Sequence, residues 1–217
     1  MFAVIACLAG IGLLLILAEL LWRQKVLKGE GQRKFLHITG GTYIAFWPWM
    51  VSMRTIQLLG AAMLIGVMIN RGSRTKLHFL RGPKRESYGD VFFALVIMLC
   101  ALLADVKLFF AVAILHLALA DGLAAVVGKN FGKAWRYKVF RQTKTVVGSM
   151  TFWFVSLCIL GTGMLLDTSL ISFSNYAILL IFLPPMLTII ENVVGFGLDN
   201  IVVPLAVLVA LQVAQTA

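Results

Sequence analysis

The chain alternates between long apolar runs and short segments in which charge is concentrated. The apolar runs cover residues 2–22, 37–52, 55–70, 88–104, 107–128, 146–165, 175–192 and 198–215. Runs of this length predict helices, because in lipid a spanning segment must satisfy its own backbone N–H and C=O groups. The expected fold is all-α: a polytopic transmembrane bundle of about eight helices, within a range of about seven to nine. It forms a single integral membrane domain over residues 1–217. Several runs are short for a hydrocarbon core of ~30 Å, and the third is the weakest; short spans are tolerated where backbone lines a cavity within the protein. No basic segment precedes residues 2–22 and the charges come after them, so this run is expected to be an uncleaved first helix rather than a signal peptide.

Composition agrees with a lipid-embedded chain. Hydrophobic residues make up 61% of the sequence and mean hydropathy is +0.96. Only 13% of residues are charged, yet the net charge is +10. The cations sit in three segments. Residues 23–36 hold Arg23, Lys25, Lys28, Arg33 and Lys34. Residues 71–87 hold Arg71, Arg74, Lys76, Arg81, Lys84 and Arg85, and residues 129–145 hold Lys129, Lys133, Arg136, Lys138, Arg141 and Lys144. Only Arg54 and Lys107 lie elsewhere. Positive-inside bias then puts both termini outside and the three basic loops in the cytoplasm, at the inner membrane if the source is bacterial. Basic loops alone signal topology and contact with anionic lipid heads. Cys7, Cys100 and Cys158 lie in different runs without a CxxC pair, which predicts buried inert thiols and neither a disulfide framework nor a zinc site.

The acids change the picture, because ionisable groups within spans are expensive and point to function. Asp121 lies in "ADGLAAVVGKNFGK", on one helical stripe with Ala125 and Gly128. His116 falls about 140° away and is expected to pack or to bond another helix. The "VVGFG" turn at 193–197 lies between Glu191 and Asp199, on the side expected to be cytoplasmic. Asp121 alone would serve as a structural partner for a lysine. With Glu191 and Asp199 it offers hard oxygens suited to Mg²⁺, which binds through one or two carboxylates and bridges to phosphates. Asn200 would add an oxygen or a hydrogen bond, and both Asp199 and Asn200 are also placed to cap the last helix.

"GKNFGK" and "TKTVVGS" suit a polyphosphate: Gly128, Gly132 and Gly148 let backbone approach oxygens, Lys129, Lys133 and Lys144 supply charge, and Thr145 and Ser149 supply hydroxyls at a helix N-terminus. The pattern is not a Walker A motif. GxSxG and HExxH are absent, and His37, His78 and His116 lack metal-ligand spacing. "RKFLHITGG" puts Arg33, Lys34 and His37 at the start of the second helix, and "KRESYGD" puts Arg85, Glu86 and Asp90 at the start of the fourth. Glu86 and Asp90 there would also complement the helix dipole. Glu19 is expected to pair with Arg23 at i+4.

Five segments in order, "RKFLHITGG", "ESYGDVFFAL", "ADGLAAVVGKNFGK", "KTVVGS" and "ENVVGFGLDNIVVPL", resemble the CTP-dependent lipid-alcohol kinases: phytol and farnesol kinases, dolichol kinase and the CTP-using diacylglycerol kinase. The resemblance covers about residues 33–205, leaving 1–32 as first helix and basic loop. Phosphatidate cytidylyltransferase is similar in the aspartate–GxxFGK–KTxEG stretch, but its later KR…KD and PGHGG…DR…DS segments are absent here. The family pattern often reads KTxEGS, and this chain has Val147 in place of the glutamate. Another carboxylate, Glu86 or Glu191, would then have to serve.

The resemblance implies transfer of the γ-phosphate of CTP to a membrane alcohol. Asp121, Glu191 and Lys144 are the candidate catalytic residues, and Asp121, Asp199 and Asn200 the candidate Mg²⁺ ligands. Gly128, Lys129, Gly132, Lys133, Lys144, Thr145, Gly148 and Ser149 form the candidate nucleotide site, with Arg33, Lys34, His37, Arg85 and Glu86 in second rank. The expected partners are CTP, the lipid alcohol and the bilayer, with no nucleic acid; a homodimer is left open. The alternatives are cytidylyltransferase-like synthesis of a CDP-activated lipid and a non-enzymatic membrane protein, a transporter or a degenerate member.

Overall fold

The computed structural model describes residues 2–27, 29–72, 88–140, 142–195 and 197–216. Their order is α1 (Phe2–Arg23), α2 (Glu30–Ala45), a 3₁₀ turn (Trp47–Trp49), α3 (Met53–Gly72), α4 (Gly89–Leu103) and α5 (Lys107–Leu115). A π-helical segment (His116–Asp121) continues directly into α6 (Gly122–Phe131). Strands β1 (Arg136–Val139) and β2 (Gln142–Thr145) come next, then α7 (Val146–Leu165), α8 (Phe173–Val193) and α9 (Asp199–Thr216). The α5–π–α6 stretch is one continuous rod, so the described residues form eight helical rods, as the apolar runs predict.

Six rods are long and apolar enough to cross a membrane: Phe2–Arg23, Met53–Arg71, Lys107–Phe131, Val146–Leu165, Phe173–Val193 and Asp199–Thr216. Helix α4 is a shorter apolar helix. The chain is an integral multi-pass membrane protein. Its centre is the α5–π–α6 rod, where Phe109, Phe110, Ile114 and Leu117 are fully buried against α2, α4, α7 and α9. Helix α1 lies at the edge and packs on α2, where Tyr43 donates to the Ala6 carbonyl at 2.9 Å.

Two boundaries differ from expectation. The second helix starts at Glu30 rather than 37 and ends at Ala45 rather than 52. Its first two turns carry Glu30, Gln32, Arg33 and Lys34, so hydropathy alone hides them, and "WPW" tightens the next turn around Pro48. The third segment is a full helix of 20 residues. The basic segment before α7 is not simply a loop, because Arg136–Val139 pairs antiparallel with Gln142–Thr145, setting Tyr137 opposite Lys144. Cys7 and Cys100 are buried as expected, but Cys158 is exposed on the outer face of α7; a thiol is apolar enough to face lipid. His116 is fully buried, and its Nδ1 meets the Val112 carbonyl of its own rod at 2.8 Å. It therefore packs without bonding another helix through that nitrogen. Glu19 pairs with Arg23 at 2.9 Å. Asp90, in the first turn of α4, pairs with Arg71 at the end of α3.

Candidate active site

Four rods and a hairpin bring the charges together. Asp121 closes the π-helical segment, Glu191 lies in the last turn of α8, and Asp199 opens α9. One carboxylate oxygen from each lies within 4.8 Å of the others. A π turn inserts an extra residue and rotates the helix beyond it; such turns are frequent at functional sites. Here the turn ends on Asp121 itself.

Two lysines and a histidine contact these acids. Lys34 Nζ of α2 donates to Asp121 Oδ2 at 2.7 Å, with both side chains largely buried. His37, one helical turn on, brings Nε2 to 3.2 Å from the same oxygen and 2.8 Å from the Leu117 carbonyl. A carbonyl only accepts, so Nε2 carries a proton. Lys144 of β2 donates to Glu191 Oε1 and, at 3.0 Å, to the Glu191 carbonyl. Among the described residues, no lysine or arginine lies within ion-pair distance of Asp199; its Oδ1 accepts the Asn200 N–H at 3.1 Å. Three carboxylates thus face two ammonium groups, and the cluster keeps room for further positive charge.

The glycines bring the backbones of α6 and α7 into contact. A Cβ on Gly128 would stand 2.7 Å from Thr145 Oγ1 and 3.1 Å from the Gly148 Cα. Thr145 caps α7, its hydroxyl accepting the Gly148 N–H at 3.0 Å. A Cβ on Gly132 would collide with the Gly128 carbonyl and with Thr145. Lys129 and Lys133 are exposed at the end of α6 and beyond it. Lys129 is eight residues past Asp121, about 12 Å along the axis.

Asn200 is buried, and its amide donates to the Gly89 carbonyl at 2.9 Å, fastening α9 to α4. Arg33 is partly exposed and pairs with Glu30 on its own helix. Arg85 and Glu86 lie outside the described residues. Ser149 bonds neither lysine; its hydroxyl donates to Asn192 Oδ1 at 3.0 Å and meets the Tyr137 hydroxyl. Tyr137 lies in none of the five motifs, and Asn192 lies in the last of them without having been singled out. The hairpin register explains their pairing: Tyr137 and Lys144 are opposite one another and so share a face. From that face Tyr137 reaches Asn192 while Lys144 reaches the adjacent Glu191.

Over 203 residues the chain is 28% identical to the phytol kinase of Synechocystis sp., a match that covers 90% of this chain and 84% of that protein. The chain is homologous to phytol kinase. Phytol kinase is among the enzymes that the five motifs resemble. No family model and no solved structure matches the chain.

Proposed function

We propose that this chain transfers the γ-phosphate of CTP to the hydroxyl of a membrane lipid alcohol: a prenol or polyprenol, phytol or diacylglycerol. The observation that carries the reading is the carboxylate cluster framed by Lys34 and Lys144, in a homologue of phytol kinase. The donor set fits Mg²⁺, since it consists of hard carboxylate oxygens with one more negative charge than ammonium partners. Asp121 and Asp199 would hold the ion, which when bound would offset charge on the transferring phosphate.

The chain's own groups supply the rest. Lys34 and Lys144 stand beside the acids and would neutralise phosphate oxygens as they approach. Lys129 and Lys133, farther out, would draw in the nucleotide, while Gly128, Gly132, Gly148 and Thr145 hold α6 against α7 beneath it. Glu191 would accept the alcohol proton. The alcohol oxygen forms the new bond to γ-phosphorus, the bond to the β-phosphate oxygen breaks, and CDP leaves. The alcohol tail stays in lipid and the nucleotide arrives from water on the side of the basic loops, expected to be cytoplasmic.

Purified chain in lipid, given Mg²⁺, CTP and a panel of alcohols, should yield lipid monophosphate and CDP. Formation of a CDP-lipid and pyrophosphate from phosphatidic acid would replace this reading with a cytidylyltransferase.

A further inference from the structure

An open groove runs between α7 and α8, lined on its apolar walls by Val146, Met150 and Trp153 on one side and Pro185 and Ile189 on the other. Both helices are long and apolar enough to cross a membrane, and the groove lies at the end of them nearest the hairpin, where the spans meet the polar loop. Its polar lining includes Tyr137 and Ser149, which join Asn192 in one hydrogen-bonded cluster. Polar groups beside lipid are costly unless partnered, which makes this placement informative. Three oxygens meet there: the Tyr137 hydroxyl, Ser149 Oγ and Asn192 Oδ1. They share only two protons, so lone pairs remain to accept a hydrogen bond from an incoming hydroxyl. The amide nitrogen of Asn192 is committed to the Thr188 carbonyl at 2.8 Å, which fixes its oxygen toward the cluster. Glu191 is the preceding residue, and its partner Lys144 is the register partner of Tyr137.

We propose that this groove holds the hydrocarbon chain of the lipid alcohol, with Tyr137, Ser149 and Asn192 receiving its hydroxyl group. The inference rests on the kinase reading above and assigns the acceptor side of that site. Val146 to Trp153 is seven residues of helix, about 10 Å. The groove therefore touches only the carbons near the hydroxyl, and the remainder of the tail lies in the bilayer. The enzyme tolerates different chain lengths but is sensitive to bulk close to the hydroxyl.

The test uses the full chain in lipid nanodiscs with a long-chain prenol that carries a diazirine a few carbons from its hydroxyl. Photolabelling is expected on Met150, Trp153 or Ile189, competed by unmodified prenol but not by an alkane of equal length, and reduced in Tyr137→Phe combined with Asn192→Leu. Labelling of those residues that prenol does not compete, or competed labelling confined to other helices, overturns the proposal. A kinetic arm uses Ile189→Trp, an exposed position where added bulk leaves the fold intact. It should raise KM for the alcohol about tenfold and leave KM for CTP unchanged; an unchanged alcohol KM counts against the groove. Competed labelling without any phosphoryl transfer would sink the kinase reading and keep the groove. Transfer with competed labelling elsewhere would do the reverse.

Discussion

Lys34→Met tests the electrostatic architecture. It removes one of two ammonium groups that face three carboxylates. At 2.7 Å the Lys34–Asp121 attraction is about 6 kcal/mol at an effective dielectric of about 20. Carboxylate oxygens no more than 4.8 Å apart repel by at least about 3.5 kcal/mol per pair on the same footing. Desolvation of the lysine offsets part of this, and removing one partner of a buried pair usually costs about 3–5 kcal/mol. For a chain of this length that corresponds to a melting temperature lowered by roughly 10 °C. Tryptophan fluorescence in detergent, read from the five native tryptophans, measures it directly. Mg²⁺ should restore more stability to Lys34→Met than to the wild type, because the ion supplies the charge that was lost. Lys34→Arg should melt closer to wild type. The reasoning fails if Lys34→Met melts within about 2 °C of wild type with the same Mg²⁺ response, since the pair would then contribute less than about 1 kcal/mol.

Asp121→Asn keeps shape and a hydrogen bond to Lys34 but removes charge; turnover should fall by at least about 100-fold while membrane insertion is preserved, measured by product formation and fractionation. Gly128→Ala drives a methyl group against Thr145 and Gly148 and should cost about 1–3 kcal/mol, read as a lower melting temperature. With the native cysteines replaced, Lys133→Cys should be labelled by an impermeant reagent from the cytoplasmic face alone, and labelling from outside would invert the topology.

Much of this molecule is legible in its sequence for physical reasons. Lipid demands long apolar helices, so each rod leaves its run of residues in the chain. Charge is excluded from those runs unless function requires it, so Asp121, Glu191 and Asp199 stand out, and the fold brings their oxygens together. The start of α2 is hidden because its first turns are polar, with Lys34 reaching the acid cluster and Gln32 bonding the Ala18 carbonyl of α1. Lys34 is 87 residues from Asp121, and no local pattern marks their pairing. The hairpin strands are only four residues each, with "RYKV" and "QTKT" too short and too polar to show a strand period. The π turn has no composition of its own. Tyr137 and Asn192 become partners only through strand register and the end of α8, which the linear sequence does not display.

The proposed chemistry is the transfer of a phosphoryl group to a lipid hydroxyl. Its most direct measurement supplies purified chain in lipid with Mg²⁺, a panel of lipid alcohols and phosphatidic acid, and CTP labelled separately at the α and γ phosphates. The lipid product should carry γ label and none from α, with transfer lost in Asp121→Asn. Label from the α phosphate, or no transfer from either position, would contradict it.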